Sequence, residues 1–140
     1  MGRRMFSGGS GPWEEDPNAD AWWGDEPPFH TPVFVLTHHE RETMPMKGGT
    51  TFIFVTDGIG SALDRARLAA GSGNVAIAGG ATTINQYLAA GLLDELVLHL
   101  VPVVLGDGER LLDGVSGIPL EPTEVIASPA VTHLRYRVRR

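Results

Sequence analysis

A glycine pair between an apolar run and a helical pattern limits the folds that this chain can adopt. Val75 to Ala78 are apolar without alternation, which favours a strand buried on both faces of a mostly parallel sheet, although a buried helix segment also fits. Gly79 and Gly80 end the run. Apolar residues then recur at helical spacing, at Ile84, Tyr87, Leu88 and Leu92. The segment predicts a strand, a glycine turn and a helix.

The predicted helix has recognisable start and stop residues. Thr82 or Thr83 is the expected N-cap, and Gly91 is the expected stop. A helix start exposes unpaired N–H groups and a partial positive charge, and glycine lets a ligand approach the main chain, so phosphate fits there. The alternative is that Gly79 and Gly80 only supply a backbone with positive φ. The GxGxxG fingerprint of Rossmann folds is absent.

Strand and helix patterns alternate through the middle of the chain. The segments "VFVLT" and "TFIFVT" are predicted strands. A helix follows that is capped near Asp57 or Ser61 and ends at Gly71. Next to the glycine-pair segment, "ELVLHLVPVVLG" is predicted to be a long strand with a bend or bulge at Pro102.

The C-terminal segment predicts a β-hairpin. Two strands flank a turn at Ser128 and Pro129. The last strand alternates, with one face formed by Thr132, Leu134, Tyr136 and Val138. Strands that alternate with helices and then close in a hairpin indicate an α/β sheet with an antiparallel edge.

Residues 7 to 32 combine loop-forming residues with large aromatic ones. The segment is rich in Gly, Pro, Asp and Glu, yet it contains Trp13, Trp22, Trp23 and Phe29. A disordered linker rarely has so many aromatic residues, so this loop is expected to pack onto the rest of the protein. Trp22 and Trp23 could line a substrate pocket, but covering a core or a subunit contact is the more usual role. The carboxylates at positions 14 to 16 are expected to face solvent.

Composition narrows the classes of partner. At 140 residues, the chain has the size of one domain. The net charge of −6 argues against nucleic acid or an anionic membrane as the main partner and favours a small molecule. Cysteine is absent, so redox chemistry would need a diffusible cofactor. Neither a membrane-length apolar run nor the apolar core of a signal peptide is present, and we expect a soluble cytoplasmic protein.

Other catalytic or metal-binding patterns have little support. No metal-binding spacing with a nearby carboxylate occurs among His30, His38, His39, His99 and His133. His99 is expected to be a hydrogen-bonded histidine of a sheet. The serines lack the sequence context of a nucleophile elbow, so hydrolase chemistry is not favoured.

Four segments together resemble a known family. They are "MGRRMF", "PVFVLTHHER", "TFIFVTDGIGSALDRA" and "VAIAGGATTINQYLAAGLLDELVLHLVPVVLGDGERL". They resemble the dihydrofolate reductase-like family that includes the C-terminal reductase domain of bacterial riboflavin biosynthesis enzymes. The resemblance implies a single domain over residues 1–140, with a mostly parallel sheet flanked by helices and an antiparallel C-terminal hairpin. Family members usually have more chain before the "GRR" segment, so this domain is expected to lack its N-terminal strand and helix.

The resemblance also implies an NADPH site built from three segments at the C-terminal edge of the sheet. The first supplies cations and main-chain donors to phosphate and comprises Gly2, Arg3, Arg4 and Met5. The second contacts the adenosine and comprises Leu36, Thr37 and His38. The third receives the pyrophosphate and comprises Gly79, Gly80, Ala81, Thr82 and Thr83.

The two arginines have competing interpretations. A guanidinium suits the 2′-phosphate of NADPH, because its planar fork makes paired hydrogen bonds while it stays charged. From position alone, Arg3 and Arg4 would instead belong to a solvated, frayed chain end. The same two interpretations, ligand contact or ordinary polar loop, apply to Thr37 and His38.

The implied activity is hydride transfer from NADPH to a small heterocyclic substrate of pterin or pyrimidine type. No catalytic residue is assigned, because no position matches the acid that family members place near the substrate. The resemblance further implies a homodimer through the sheet edge and the C-terminal strands, and "ELVLHLVPVVL" has apolar residues on both faces that need covering. The alternative function is a catalytically silent module for nucleotide binding or dimerisation.

Overall fold

The computed structural model describes residues 1–20 and 22–140. Contacts within the chain divide it into two units, Met1–Thr83 and Ile84–Arg140. Each contains its own small sheet. Strands and helices mix in the order expected of an α/β protein, so that class is confirmed.

The first unit contains three strands and two helices. Its strands are β1 (Pro32–Leu36), β2 (Met44–Pro45) and β3 (Thr51–Val55), and its helices are α1 (Arg3–Ser7) and α2 (Gly58–Ala70). In the sheet, β3 lies between β1 and β2, parallel to β1 and antiparallel to β2. Both predicted strands and the predicted helix from Asp57 to Gly71 are confirmed.

An aromatic core covers one face of this sheet. The register places Val33 opposite Phe52 and Val35 opposite Phe54, so these four side chains share a face. Phe6 of α1 is fully buried against them, with its ring centroid 4.9 Å from that of Phe52. Around this core pack partly buried residues that include Trp13, Trp23 and Phe29. The prediction that the aromatic loop packs onto the rest of the protein is confirmed for these three residues, whereas Trp22 is 56% exposed.

Helix α2 packs on β1 and β3. Asp57 is its N-cap residue, and its carboxylate accepts hydrogen bonds from Ser61 and from Arg65 at 3.1 Å. Gly71 ends the helix in a positive-φ conformation that favours glycine. Ala62 and Leu63 are the buried residues of the helix.

The second unit contains an antiparallel sheet. Helix α3 (Ala81–Ala89) runs across the division between the units and is followed by β4 (Glu95–Leu100), β5 (Leu120–Ala127) and β6 (Thr132–Val138). Strand β6 lies between β4 and β5. The predicted hairpin is confirmed, with Ser128 N–H bonded to Val131 O across the turn. Gly91 ends the helix as expected, because the Gly91 and Leu92 N–H groups bond back to Leu88 O and Tyr87 O in a Schellman motif.

Three predictions about elements are wrong. Residues 75–78 form no strand, and their side chains alternate between half-buried and exposed. A strand needs a neighbour for its backbone groups, and within the described chain this run forms no ladder. Helix α3 starts at Ala81, so Thr82 and Thr83 lie in its first turn and are not N-caps. Strand β4 ends at Leu100, before Pro102, because proline has no N–H for a ladder.

The prediction of a mostly parallel sheet is not confirmed. Only one pair of the described strands, β1 with β3, is parallel, and the other pairs are antiparallel. Among the described helices, none is long and apolar enough to cross a membrane.

Candidate functional site

Gly2 belongs to the first of the three segments predicted to form the site, and its backbone bonds to the other two. Its N–H donates to Gly79 O at 2.9 Å, and Gly2 forms a parallel bridge with Leu36 at the end of β1. Met1 extends this pairing, because its O accepts from Leu36 N–H at 2.9 Å and its amino group donates to Phe34 O at 2.7 Å. The start of α1, the end of β1 and the glycine pair therefore meet at one edge of the sheet.

A close side-chain contact also favours glycine at position 2. Gly2 is buried, and a methyl group added to its Cα would overlap Thr83 Oγ1. The first turn of α3 is thereby held directly against the residue that precedes α1. A larger side chain would require the Thr83 hydroxyl to turn away or the two segments to shift, so Gly2 has a packing role in addition to its predicted ligand role.

Open space adjoins the glycine pair, in which Gly79 is buried and Gly80 is exposed. Gly79 has φ +107°, which favours glycine, and the peptide bond between Gly79 and Gly80 is cis. At both glycines, a Cβ would meet no atom within 4 Å. Ala81 begins α3 immediately afterwards, and Thr82 is exposed. Open space therefore adjoins a helix start whose first N–H groups lack partners in the helix, an arrangement that suits an anion.

The end of β1 contributes one buried and one exposed polar residue. Thr37 is buried, its N–H donates to Val55 O at 3.1 Å, and its hydroxyl accepts the N–H of His39 at 3.1 Å. These bonds give the Thr37 hydroxyl a structural role at the strand end. His38 is exposed, so its side chain, unlike that of Thr37, can contact a ligand.

Arg3 lies inside the protein. Its side chain is 7% exposed, its guanidinium carbon is 3.5 Å from the centroid of the Trp13 ring, and its Nη1 is 2.6 Å from Asp16 Oδ2. None of its three guanidinium nitrogens makes a well-aligned hydrogen bond with a described residue, so the contact with Asp16 is electrostatic. The interpretation of Arg3 as part of a solvated chain end is wrong, because this ion pair and the Trp13 ring enclose it.

Asp16 is the partner that the sequence did not indicate. We expected it to face solvent, but its side chain is only 3% exposed. The Ser7 hydroxyl donates to Asp16 Oδ2 at 2.7 Å, and the Asn18 N–H donates to Oδ1 at 2.9 Å. These hydrogen bonds, first that of Ser7, together with the charge of Arg3, lower the pKa of Asp16 against the opposing effect of its burial. A run of acidic residues in a glycine- and proline-rich loop has no pattern that reveals such a role.

The two remaining residues of the first segment differ in exposure. Arg4 is exposed, and although its backbone oxygen accepts the Gly8 N–H at 2.8 Å, no hydrogen bond or ion pair joins its side chain to another residue in the described part of the chain. Met5 is partly buried and packs against the aromatic core. Of the predicted cations, Arg4 is therefore the one whose charge is available to a ligand at the surface.

The sequence matches the family model of the RibD C-terminal domain over residues 2–134. The chain belongs to the RibD C-terminal domain family. The predicted family resemblance is confirmed. The matched range includes all of the predicted site residues. Among curated proteins, no sequence matches the chain.

Two solved structures show the same fold. A putative riboflavin biosynthesis protein from Shewanella sp. PV-4 is 25% identical with a TM-score of 0.62, over 81% of this chain and 63% of that one. A pyrimidine reductase-like protein from Corynebacterium diphtheriae is 17% identical with a TM-score of 0.52, over 76% of this chain and 50% of that one. This RibD-type chain therefore spans between half and about two thirds of the length of these relatives.

The Asp16 site predicts a specific loss of stability in acid. Because the pKa of Asp16 is lower in the folded than in the unfolded state, its contribution is present at neutral pH and is lost as the pH falls through the folded-state pKa, below about 4. Asp16→Asn should lower the free energy of unfolding at pH 7 by about 3–5 kcal/mol, since it leaves the buried Arg3 without a counter-charge. The deficit should shrink as the pH falls below about 4 towards the lowered folded-state pKa of Asp16, because wild-type Asp16 then loses its charge as well.

Urea unfolding at a series of pH values measures this difference. Asp25→Asn is the matched control, because Asp25 pairs with Lys47 at 2.8 Å but is 83% exposed. A deficit in Asp16→Asn that stays constant with pH would contradict the ionic role of Asp16.

Proposed function

We propose that this chain binds NADPH at the edge formed by Gly2, Leu36 and Gly79 and acts as a reductase on a small heterocyclic substrate. The observation that supports the proposal most directly is that three separate segments meet there, each of which the family resemblance assigns to the cofactor. Membership of the RibD C-terminal domain family supports the reductase class.

The available groups fit the phosphates of a dinucleotide. Gly80 and the first turn of α3 offer backbone N–H groups beside open space, and the helix dipole favours negative charge at that end. Arg4 offers an unpaired guanidinium for a further phosphate. Arg3 has a different role in the proposal, because its charge is balanced by Asp16 and it holds the aromatic loop to α1.

When bound, NADPH supplies the hydride, and the chain supplies binding and orientation. Gly2 keeps the start of α3 and the end of β1 at a constant separation, so the groups that receive the cofactor are ordered before it arrives. His38 and Thr37, at the end of β1, lie next to Leu36, where the proposal puts the adenosine. Such ordering lowers the entropic cost of binding.

A silent nucleotide-binding module is the second candidate. It is favoured by the predicted site residues, all of which are assigned to binding and none to catalysis. Turnover of NADPH with pterin- and pyrimidine-type substrates separates the two functions. Nucleotide binding without oxidation of NADPH would support the module.

Gly80→Ala tests the pyrophosphate site. The added methyl group meets no protein atom within 4 Å, so the fold should tolerate it, but it occupies the space proposed for the phosphates. We expect the Kd values of NADPH and NADH to rise together by at least tenfold, about 1.4 kcal/mol. Fluorescence titration of both nucleotides measures this change.

Gly60→Ala is the matched control for this substitution. Gly60 lies in α2, its added methyl group would also meet no atom within 4 Å, and alanine favours a helix. Equal affinities for wild type, Gly80→Ala and Gly60→Ala would contradict a phosphate site at the glycine pair. Failure of wild type to bind either nucleotide at sub-millimolar concentration would contradict the proposal as a whole.

Arg4→Ala tests the preference for NADPH. A guanidinium that bonds the 2′-phosphate contributes about 1.5–3 kcal/mol, so the affinity for NADPH should fall by roughly 10- to 100-fold, while that for NADH changes little. Arg67→Ala, which removes an exposed arginine of α2, is the control and should leave both affinities unchanged. Equal losses for NADPH and NADH in Arg4→Ala would remove Arg4 from the 2′-phosphate site.

We further propose that the chain forms a homodimer through the apolar face of the second sheet. Leu98, Leu134 and Val125 are neighbours in register and share this face. Val125 is 62% exposed, and the apolar segment after β4 is exposed as well. Leu98 and Leu134 are half-buried, so Val125 and the segment after β4 are the parts of this apolar surface that a second copy would cover.

The dimer predicts a mass of two chains in light scattering at micromolar concentrations. Val125→Lys should reduce this mass to that of one chain, because a lysine would be buried without a partner in the interface. Val97→Lys is the control, since Val97 is also exposed but lies on the opposite face of the sheet. A wild-type mass of one chain throughout, or equal effects of both variants, would exclude this interface.

A further inference from the structure

Two histidines lie opposite each other on neighbouring strands of the second sheet. His99 of β4 pairs in register with His133 of β6, and their Nδ1 atoms are 2.7 Å apart. The ring centroids are 4.8 Å apart, and the ring planes meet at 76°. The expectation that His99 is a hydrogen-bonded histidine of a sheet is confirmed, and its partner is a second imidazole.

The surroundings leave this pair open and without a competing charge. His99 is exposed and His133 is half-buried. Arg135, the nearest cation along β6 on this face, is 3.1 Å from Glu95 Oε2 and 3.5 Å from Glu124 Oε2, so its charge is balanced by carboxylates of the flanking strands. Across the described residues, no group of three or more histidine or carboxylate side chains could hold a metal ion. Any ion at this pair would have two protein ligands and solvent.

We propose that His99 and His133 form a bidentate site for Cu²⁺. Two cis nitrogens at about 2.0–2.1 Å from a metal are about 2.9 Å apart in a square-planar arrangement and about 3.3 Å apart in a tetrahedral one. The observed 2.7 Å separation is closer to the square-planar value. Imidazole suits copper, and Cu²⁺ binds nitrogen ligands more tightly than the other divalent ions of its row.

The sheet holds the two ligands close to the required geometry in advance. Residues opposite each other in an antiparallel pair have Cβ atoms about 4.5–5.5 Å apart, and the ladder from Glu95 to Leu100 keeps them there. In the absence of metal, one Nδ1 donates its proton to the other. With Cu²⁺ bound, both Nδ1 lone pairs face the ion and both protons sit on Nε2, so binding requires a tautomer change of one imidazole and a rotation of the rings that turns both lone pairs from each other towards the ion.

Copper titration of the full 140-residue chain tests the site. We expect one equivalent of Cu²⁺ to give an electron paramagnetic resonance spectrum with superhyperfine coupling to two nitrogens. His99→Gln and His133→Gln should each lower the affinity for Cu²⁺ at least tenfold, because each removes the chelate. His38→Gln, which removes an exposed histidine outside the pair, should change the affinity less than twofold.

Three results would overturn the proposal. The first is a spectrum without coupling to two nitrogens. The second is an affinity that His38→Gln lowers and His99→Gln does not. The third is copper binding that survives loss of both histidines and disappears when the α-amino group of Met1 is acetylated, which would assign the ion to the chain terminus.

A measurement on the unaltered chain keeps the test decisive if a variant fails to fold. Substoichiometric Cu²⁺ should broaden the assigned imidazole NMR signals of His99 and His133 before those of His30, His38 and His39. Uniform broadening of all five histidines, or earlier loss of the other three, would contradict the paired site.

Discussion

The backbone pairing of Gly2 is the constraint on which the proposed cofactor site depends. On one side it bridges to Leu36, and on the other its N–H bonds to Gly79 O at 2.9 Å. Segments from three distant parts of the chain are thereby held at one edge of the first sheet. These bonds use main-chain atoms and not polar side chains, and a larger residue at position 2 would require the Thr83 hydroxyl to move.

A second constraint secures the aromatic loop. Arg3 is enclosed between the Trp13 ring and Asp16, and Asp16 is in turn held by Ser7. Such a buried ion pair contributes little net stability but makes loss of either partner costly. The loop is thus locked to α1, the helix that begins beside the proposed phosphate site. Adjacent arginines consequently have different roles, with Arg3 structural and Arg4 free to meet a ligand.

The two faces of the second sheet carry different kinds of side chain. Alternation along β4 and β6 places Leu98 and Leu134 on one face and His99 and His133 on the other. The apolar face is the one that the proposed homodimer would use, and the polar face combines balanced ion pairs with the histidine pair. A change on one face therefore leaves the other intact, so association and metal binding can be examined independently.

The sequence by itself determined the α/β class, the family, the main strands and helices of the first unit and the C-terminal hairpin, because hydrophobic period, capping residues and glycine stops are local signals. It also indicated the segments of the candidate site, through motifs that keep their order in the family. Only the tertiary structure decided that residues 75–78 lack a ladder, that Arg3 pairs with Asp16 and that His99 faces His133. These features depend on residues that are far apart in the chain or on the presence of a neighbouring strand, and no local pattern records either.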